Sequence, residues 1–200
     1  MSQTVREPKQ ERSIEKKNKI VQAGFELFSQ VGYYCTNTAQ IAKQAGVSTG
    51  IVYGYFKDKR DILLDVLSIY IERVFSPILL MIDKLQAPID FDRLVSHVLD
   101  EGINIHKENA KIHEALHSMS HSDEEVYSKF ITLEDDITKR IAQKLQSLGV
   151  DCANLLERVH LAMNVVQSFS HEYVYDKHPY ICYDDMREIV KKTIIALFVE

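Results

Sequence analysis

The chain has 200 residues, of which 46% are hydrophobic and 26% charged, a balance typical of one large or two small globular domains. With 7 Gly and 4 Pro the composition disfavours a turn-rich β fold, and the apolar run at 78–82 is far too short to span a bilayer. Because residues 1–18 do not resemble a secretory signal and the three widely spaced cysteines fit neither a disulfide framework nor a zinc ribbon, we expect a cytoplasmic protein with no membrane association.

The net charge of −5 is distributed unevenly along the chain. Residues 1–60 contain ten basic and five acidic side chains, a net charge of +5, whereas residues 61–200 contain 14 basic and 24 acidic ones, a net charge of −10. A basic head on an acidic body places the attraction for nucleic-acid phosphates in the first sixty residues.

The first predicted helix begins near Ser13, a possible N-cap, and ends before Gly32, which suits the left-handed position after a helix. Apolar or small residues at 20, 23, 24, 27 and 28 form the stripe of an amphipathic helix. Gly24 lies on this stripe, where glycine costs helix stability. We therefore predict that another helix approaches it closely.

Three further helices are predicted in the head and just after it. Thr36 is a good N-cap for a short second helix that ends at Gly46, and Ser48 can cap a third short helix. Asp58 can cap a fourth, with Asp61 at the position of a capping box. This fourth helix continues, with a kink, through Pro77 towards residue 85.

The body is predicted to be helical as well, and no long stretch alternates apolar and polar residues as a strand does. We expect helices at about 90–106, 108–121, 123–148, 151–176 and 183–199. The predicted fold class is all-α, with an N-terminal three-helix helix-turn-helix domain at 1–58 and a larger C-terminal helical domain at 59–200 that binds an effector and dimerises.

The segment 36–59 has the pattern of a helix-turn-helix. This motif needs a small contact residue in its first helix, a glycine with positive φ in the turn, and apolar residues that fix the second helix. Ala42, Gly46, Val47 and Val52 occupy these places. A generic three-helix unit would not require the Tyr-x-Tyr-Phe-x-x-Lys sequence that follows the turn.

These residues resemble the DNA-binding domain of the TetR family of bacterial regulators over about residues 14–64. The chain departs from the family pattern at Asn37, where a second Thr is frequent, and at Gly24, where Ala is usual. The matching residues are Ile20, Ala23, Leu27, Phe28, Gly32, Tyr33, Thr36, Ile41, Ala42, Ala45, Gly46, Val47, Ser48, Tyr53, Tyr55, Phe56 and Lys59.

The predicted contacts with double-stranded DNA divide into base edges and phosphates. Thr49 suits a hydrogen bond to a base edge and Ile51 a thymine methyl group, whereas Gly50 and Gly54 leave little side-chain surface, so DNA shape shares the recognition. The predicted DNA-binding residues are Asn37, Thr38, Ser48, Thr49, Gly50, Ile51, Tyr53, Tyr55 and Lys59.

For the body, the resemblance implies a homodimer through the helices near 151–176 and 183–199, and a pocket for a small-molecule effector. Both helices have apolar stripes broad enough for burial. The candidates for this pocket are mainly polar or aromatic residues on inner helix faces. Four of them are hydrophobic: Phe75, Ile103, Phe130 and Phe169. The predicted effector-pocket residues are Tyr70, His97, His117, Asn164, Gln167 and His171.

His113, His117 and His121 follow one another at helical spacing, and one face with three imidazoles suits a transition metal. A solvated or partly buried histidine face accounts for the same spacing, and no cysteine joins the cluster. We predict no metal site there, and we expect the protein to need no cofactor.

An enzyme on a helical bundle and a helical interaction adaptor are the competing interpretations. Glu114 with His117 and Glu157 with His160 have the Glu-x-x-His spacing of di-iron bundles, but the other helices lack partner glutamates on a buried stripe. Neither a paired nucleophile and base nor a Gly-rich phosphate loop is evident. An adaptor would leave the head unexplained, so a non-enzymatic, ligand-responsive repressor is the predicted function.

Overall fold

The computed structural model describes residues 11–199, except for the side chain of His117, and this part of the chain is built from α-helices. The all-α prediction is confirmed. No helix in this part combines the length and apolar character needed to cross a bilayer. The helices are α1 (Glu11–Gln30), α2 (Thr38–Gln44), α3 (Thr49–Tyr55), α4 (Lys59–Asp83), α5 (Phe91–Glu108), α6 (Ala110–Ser120), α7 (Glu124–Ser147), α8 (Leu155–Tyr175) and α9 (Tyr183–Ile195).

The chain forms two compact units. Of the described residues, the first unit contains those up to Arg73 together with Asn109–Ile131, and the second contains Val74–Glu108 and those from Thr132 to Val199. The helices α4 and α7 contribute residues to both units. A functional division at 1–58 and 59–200 stays a prediction.

In the first unit, the predicted apolar stripe of α1 is buried except at Leu27, which is half-buried. Ile20 and Phe28 are completely buried. A Cβ atom built on Gly24 would lie 2.8 Å from Cγ2 of Ile62 and 3.4 Å from Cγ2 of Val66, both in α4. The close approach of a second helix at Gly24 is therefore confirmed, because a larger residue at this crossing has no room.

Two of the predicted N-caps are wrong, since their hydroxyl groups have other partners. Ser13 lies inside α1, and its Oγ is 2.8 Å from the Tyr55 hydroxyl in α3. Thr36 is buried and donates to the carbonyl of Gly32 at 2.8 Å. The N-cap of α2 is instead Asn37, one residue further along.

The predicted caps of α3 and α4 are observed. Ser48 caps α3 by accepting from the backbone N–H of Ile51, and Asp58 accepts from that of Asp61 at 2.9 Å. Asp61 in turn accepts from the N–H of Lys57, one residue before the position of a standard capping box. The fourth helix does continue through Pro77, and it ends at Asp83.

In the second unit, α5, α8 and α9 surround one apolar core. A Cβ atom at Gly102 in α5 would lie 3.0 Å from Val166 and 2.7 Å from the Ser170 hydroxyl, both in α8. Glycine at this position therefore allows α5 and α8 to pack closely. The buried residues of this core are Val95, Leu99, Ile103, Val166, Phe169, Tyr183 and Ile194.

Candidate nucleic-acid interface and effector cavity

The turn between α2 and α3 has the geometry of a helix-turn-helix. Gly46 has a φ of +68°, which glycine adopts without strain. The N–H of Val47 donates to the carbonyl of Ala42 at 3.0 Å and closes the turn. Ala42 and Val52 are buried, so they hold α2 against α3 while the opposite face of α3 stays outside.

The beginning of α2 is closed by a reciprocal capping box. Oδ1 of Asn37 accepts from the N–H of Gln40 at 2.9 Å, and Oε1 of Gln40 accepts from the N–H of Asn37 at 2.8 Å. The capping box uses the side-chain oxygen of Asn37 and does not use its amide N–H₂ group. Asn37 is exposed. An amide N–H₂ can donate to a phosphate oxygen, and Asn37 is one of the predicted DNA-binding residues.

The outer face of α3 has little side-chain volume. Ser48 and Gly50 are exposed, and Thr49 and Ile51 are half-buried. A Cβ atom at Gly54 would meet no atom within 4 Å, and one at Gly50 only the Ser48 hydroxyl at 3.9 Å. Packing within residues 11–199 therefore explains neither glycine, whereas a close approach by an external partner would.

The two tyrosines among the predicted DNA-binding residues also connect α3 to neighbouring helices. The Tyr53 hydroxyl lies 3.0 Å from Oγ1 of Thr38, at the beginning of α2. The Tyr55 hydroxyl pairs with Ser13 of α1. Tyr53 is 40% exposed and Tyr55 is half-buried, so Tyr53 is the more accessible of the two.

Lys59 has a structural role that the sequence did not predict. Its ammonium donates to the carbonyls of Tyr33 and Thr36, both at 2.7 Å, and lies 4.1 Å from the centroid of the Tyr33 ring. Partial burial lowers the pKa of this ammonium from its usual value. Lys59 therefore holds the segment between α1 and α2, which positions the capping box.

Some features of the head surface were missed from the sequence. Tyr34 is 70% exposed in the segment before α2 and packs edge-on against Tyr33. Lys43 and Lys57 are exposed as well. The doubled tyrosine after Gly32 was the available signal, since a second large aromatic residue beside a buried one is left at the surface.

The second unit contains a cavity of about 120 Å³, the same order as a cavity that holds a benzene ring. Apolar side chains from α4, α5, α7, α8 and α9 form most of its wall. Aromatic residues contribute as well, and the rings of Phe91 and Phe198 stack at 5.7 Å. The polar lining residues are His106, Glu134, Asn164 and Gln167.

The structure brings two of the six predicted effector-pocket residues, Asn164 and Gln167, to this cavity. Tyr70 is buried in the first unit, where its hydroxyl lies 2.8 Å from Nδ1 of His113. His97 is exposed, and His171 packs against Tyr175 outside the lining. The side chain of His117 lies outside the described part of the structure.

Of the other candidates from the sequence, Phe75 lines the cavity and Phe169 is in the core of the second unit. The sequence missed two polar lining residues, Glu134 and His106. Both lie on amphipathic helices with many polar residues, and the helical pattern does not distinguish an inward polar residue from a solvated one.

The predicted face of His113, His117 and His121 is not one continuous surface. His113 is buried against Tyr70, whereas His121 is exposed. Among the residues that the structure describes, no group of three or more His, Cys, Asp or Glu is placed to hold a metal ion.

Residues 20–66 match the family model described as bacterial regulatory proteins, tetR family. The chain is 41% identical over 76 residues to the HTH-type transcriptional regulator HbdR of Aromatoleum sp. (strain CIB), covering 38% of this chain and 33% of that protein. It is 41% identical over 61 residues to the regulator AcrR of Shigella flexneri, covering 30% and 28%. The chain thus matches only about a third of the length of these curated relatives.

Solved structures share the fold over almost the whole chain. A TetR-family regulator from Mesorhizobium loti has a TM-score of 0.68 and 18% identity, covering 94% of this chain and 97% of that chain. A transcriptional regulator from Saccharomonospora viridis, solved in complex with choline, has a TM-score of 0.69 and 17% identity, covering 94% and 99%. At this identity the likeness concerns the fold alone.

Proposed function

Because residues 20–66 match the family model of tetR bacterial regulatory proteins, we propose that the chain is a regulator of this family. In this proposal it represses transcription by binding a palindromic operator as a homodimer, and it leaves the DNA when a small-molecule effector binds. The observation that most supports this proposal is the helix-turn-helix with its outward face of small and polar groups. The charge distribution supports the same conclusion, since residues 1–60 are basic within an acidic chain.

We assign the exposed face of α3 to the major groove. Thr49 and Ile51 meet base edges there, and the glycines allow the helix axis to come close. The groups around the face, which belong to Asn37, Tyr53 and Lys59, position the head on the phosphates. The phosphate contacts set the affinity for DNA and its salt dependence, whereas the base contacts of α3 set the sequence preference.

Exposed apolar residues on α8 and α9 support the homodimer. Leu156 and Leu161 in α8 are each 49% exposed, and Ile189 in α9 is 64% exposed. Burying such residues against a second copy is favourable, and a two-fold dimer is the commonest way to do so. Two heads related by a two-fold axis match an operator with two inverted half-sites.

The cavity of the second unit is the proposed effector site, with Asn164 and Gln167 as polar contacts. The regulator solved with choline is a precedent for a small-molecule ligand in this fold. The helix α4 connects the two functions, because residues 74–82 line the cavity and residues 62 and 66 pack on α1 of the head. An effector that favours one position of α4 shifts the population of heads fit for DNA.

Selection of binding sites from a random double-stranded DNA library tests this proposal directly. We expect enrichment of an inverted repeat whose half-sites lie about 10 base pairs apart, or a multiple of that spacing. The variant Thr49→Ala should change the enriched sequence, whereas Tyr53→Phe should weaken binding to all sequences at matched salt. Enrichment of a single unrepeated site, or of none, would contradict the dimeric operator.

A further inference from the structure

The charge of the effector cavity is set by one side chain. Glu134, on α7, is the only Asp, Glu, Lys or Arg among the lining residues of the described chain. The amides of Asn164 and Gln167 are neutral, and the remaining walls are almost entirely apolar. A cavity with one carboxylate and no basic residue attracts cations and repels anions.

The other titratable lining residue, His106, does not supply a positive charge. Its Nδ1 lies 2.8 Å from the carbonyl of Gly102, so Nδ1 carries the proton that forms this bond. Burial lowers the pKa of the ring and outweighs the hydrogen bond to the Gly102 carbonyl, which raises it, and nearby His171 lowers it further. The lowered pKa favours the neutral imidazole, which does not compensate the charge of Glu134.

The carboxylate of Glu134 also lacks a strong counter-charge in the described chain. Its electrostatic neighbours are His160, which lowers its pKa, and Asp135, which raises it. Burial is the largest effect, and it raises the pKa of Glu134 above its usual value. Removing a carboxylate from water without an ion pair is costly, and an incoming cation would offset that cost.

We propose that the effector is a small organic cation, with an ammonium group that pairs with Glu134 and an apolar or aromatic body that fills the cavity. This inference rests on the proposed effector site and names its ligand class. The stacked rings of Phe91 and Phe198 and the size of the cavity suit a body of one ring or a short alkyl chain. Effectors with a carboxylate or phosphate at this position are excluded by charge.

Three probes of nearly equal shape test the ligand class: phenethylamine, 2-phenylethanol and 3-phenylpropanoate. Binding to the full chain at pH 8, where an imidazole is mostly neutral, is measured by calorimetry and thermal shift. We expect saturable binding of the amine at millimolar concentration, weaker binding of the alcohol and none of the carboxylate. Tighter binding of the carboxylate, or no saturable binding of the amine, overturns the proposal.

The variant Glu134→Gln keeps the shape and removes the charge, and Asp135→Asn makes the same charge change one residue away, off the cavity lining. We expect the first to weaken amine binding about tenfold or more and the second to leave it within about twofold. Glu134→Lys should reverse the preference towards 3-phenylpropanoate, and Glu134→Asp, which keeps the charge, should keep the preference for the amine. Amine affinity unchanged in Glu134→Gln contradicts the proposal.

Release from the selected operator is measured separately with the same probes. Amine binding that depends on Glu134 but does not change DNA affinity supports the ligand class and contradicts effector release. Release by 3-phenylpropanoate, without release by the amine, has the opposite meaning: effector release stands and the ligand class fails.

Discussion

Arg60, at the beginning of α4, forms a two-bond ion pair with Asp123, the residue before α7. Its Nε lies 2.5 Å from Oδ2 and its Nη2 lies 2.7 Å from Oδ1. Asp123 also accepts from the N–H groups of Glu125 and Val126, so it caps α7 as well. One carboxylate thus connects the helix that follows the DNA-binding head to the start of α7, 63 residues away in sequence.

The first prediction distinguishes the two roles of Asp123, the N-cap of α7 and the ion pair with Arg60. Asp123→Asn keeps an N-cap oxygen and loses the charge, and we expect it to lower the free energy of unfolding by about 1 kcal/mol. Asp123→Ala loses both interactions and should cost about 1 kcal/mol more. Urea denaturation followed by circular dichroism measures both, and equal losses in the two variants would contradict the separate cap.

The ion pair also predicts a pH dependence with a defined sign. The hydrogen bond from Arg60 lowers the pKa of Asp123 from 3.8 to about 2. A carboxylate with a lowered pKa in the folded state stabilises the protein above its unfolded pKa, and this stabilisation is lost as the pH falls towards 2. The difference in melting temperature between the parent and Asp123→Asn should therefore shrink as the pH is lowered from neutral towards the folded pKa.

The second prediction uses two lysines that differ in their contacts. Lys59→Ala removes the donor for the carbonyls of Tyr33 and Thr36, and we expect a loss of about 1–2 kcal/mol in stability together with weaker DNA binding. Lys57→Ala removes the same charge from an exposed residue. It should leave stability within about 0.5 kcal/mol. Equal melting temperatures for the two variants would show that the Lys59 contacts are unimportant for the fold.

Helix positions in the head follow from the sequence because its apolar stripes and turn glycines are local signals. The stripe of α1, the positive φ of Gly46 and the Ser48 cap all depend on neighbours within a few residues. Thr36 failed as a cap because the carbonyl of Gly32 accepts its hydroxyl proton, and Asn37 then begins the helix. Local propensity ranks both residues as good caps, and only the folded turn decides between them.

The proposed effector site was less predictable, because inward-facing polar residues have no sequence signature of their own. Asn164 and Gln167 reach the cavity from α8, where the apolar stripe is clear. Glu134 lies on α7 among charged residues that resemble a solvated face, so neither periodicity nor composition distinguishes it. His97 and Tyr70 were expected there for the same reason that Glu134 was missed: the rotation of each helix is set by tertiary packing.

The third prediction concerns the crossing of α1 and α4. Gly24→Ala places a Cβ atom 2.8 Å from the Ile62 side chain, so the two helices must separate or Ile62 must change its rotamer. We expect a loss of about 1–3 kcal/mol in stability despite the better helix propensity of alanine. A melting temperature equal to or above that of the parent would show that this crossing tolerates a methyl group.

The same substitution in α3 should have the opposite effect on stability. Gly54→Ala meets no atom within 4 Å, so we expect a gain of up to about 1 kcal/mol from helix propensity alone. If α3 approaches DNA as proposed, the added methyl group should weaken operator binding several-fold. Stability is measured by urea denaturation and affinity by fluorescence anisotropy with the selected operator. A variant that is more stable and binds as tightly as the parent would remove the proposed reason for this glycine.

The last prediction concerns the dimer. Ile189 is 64% exposed on α9, and a charge at the centre of a self-complementary interface is buried without a partner. We therefore expect Ile189→Glu to be monomeric at micromolar concentration by size-exclusion chromatography with light scattering. Its affinity for the full inverted repeat should fall towards that for a single half-site, because only one head then binds. Leu80→Glu is the matched control, since Leu80 is 55% exposed on α4 and lies outside the proposed interface. A dimeric Ile189→Glu beside a monomeric Leu80→Glu would place the interface on α4.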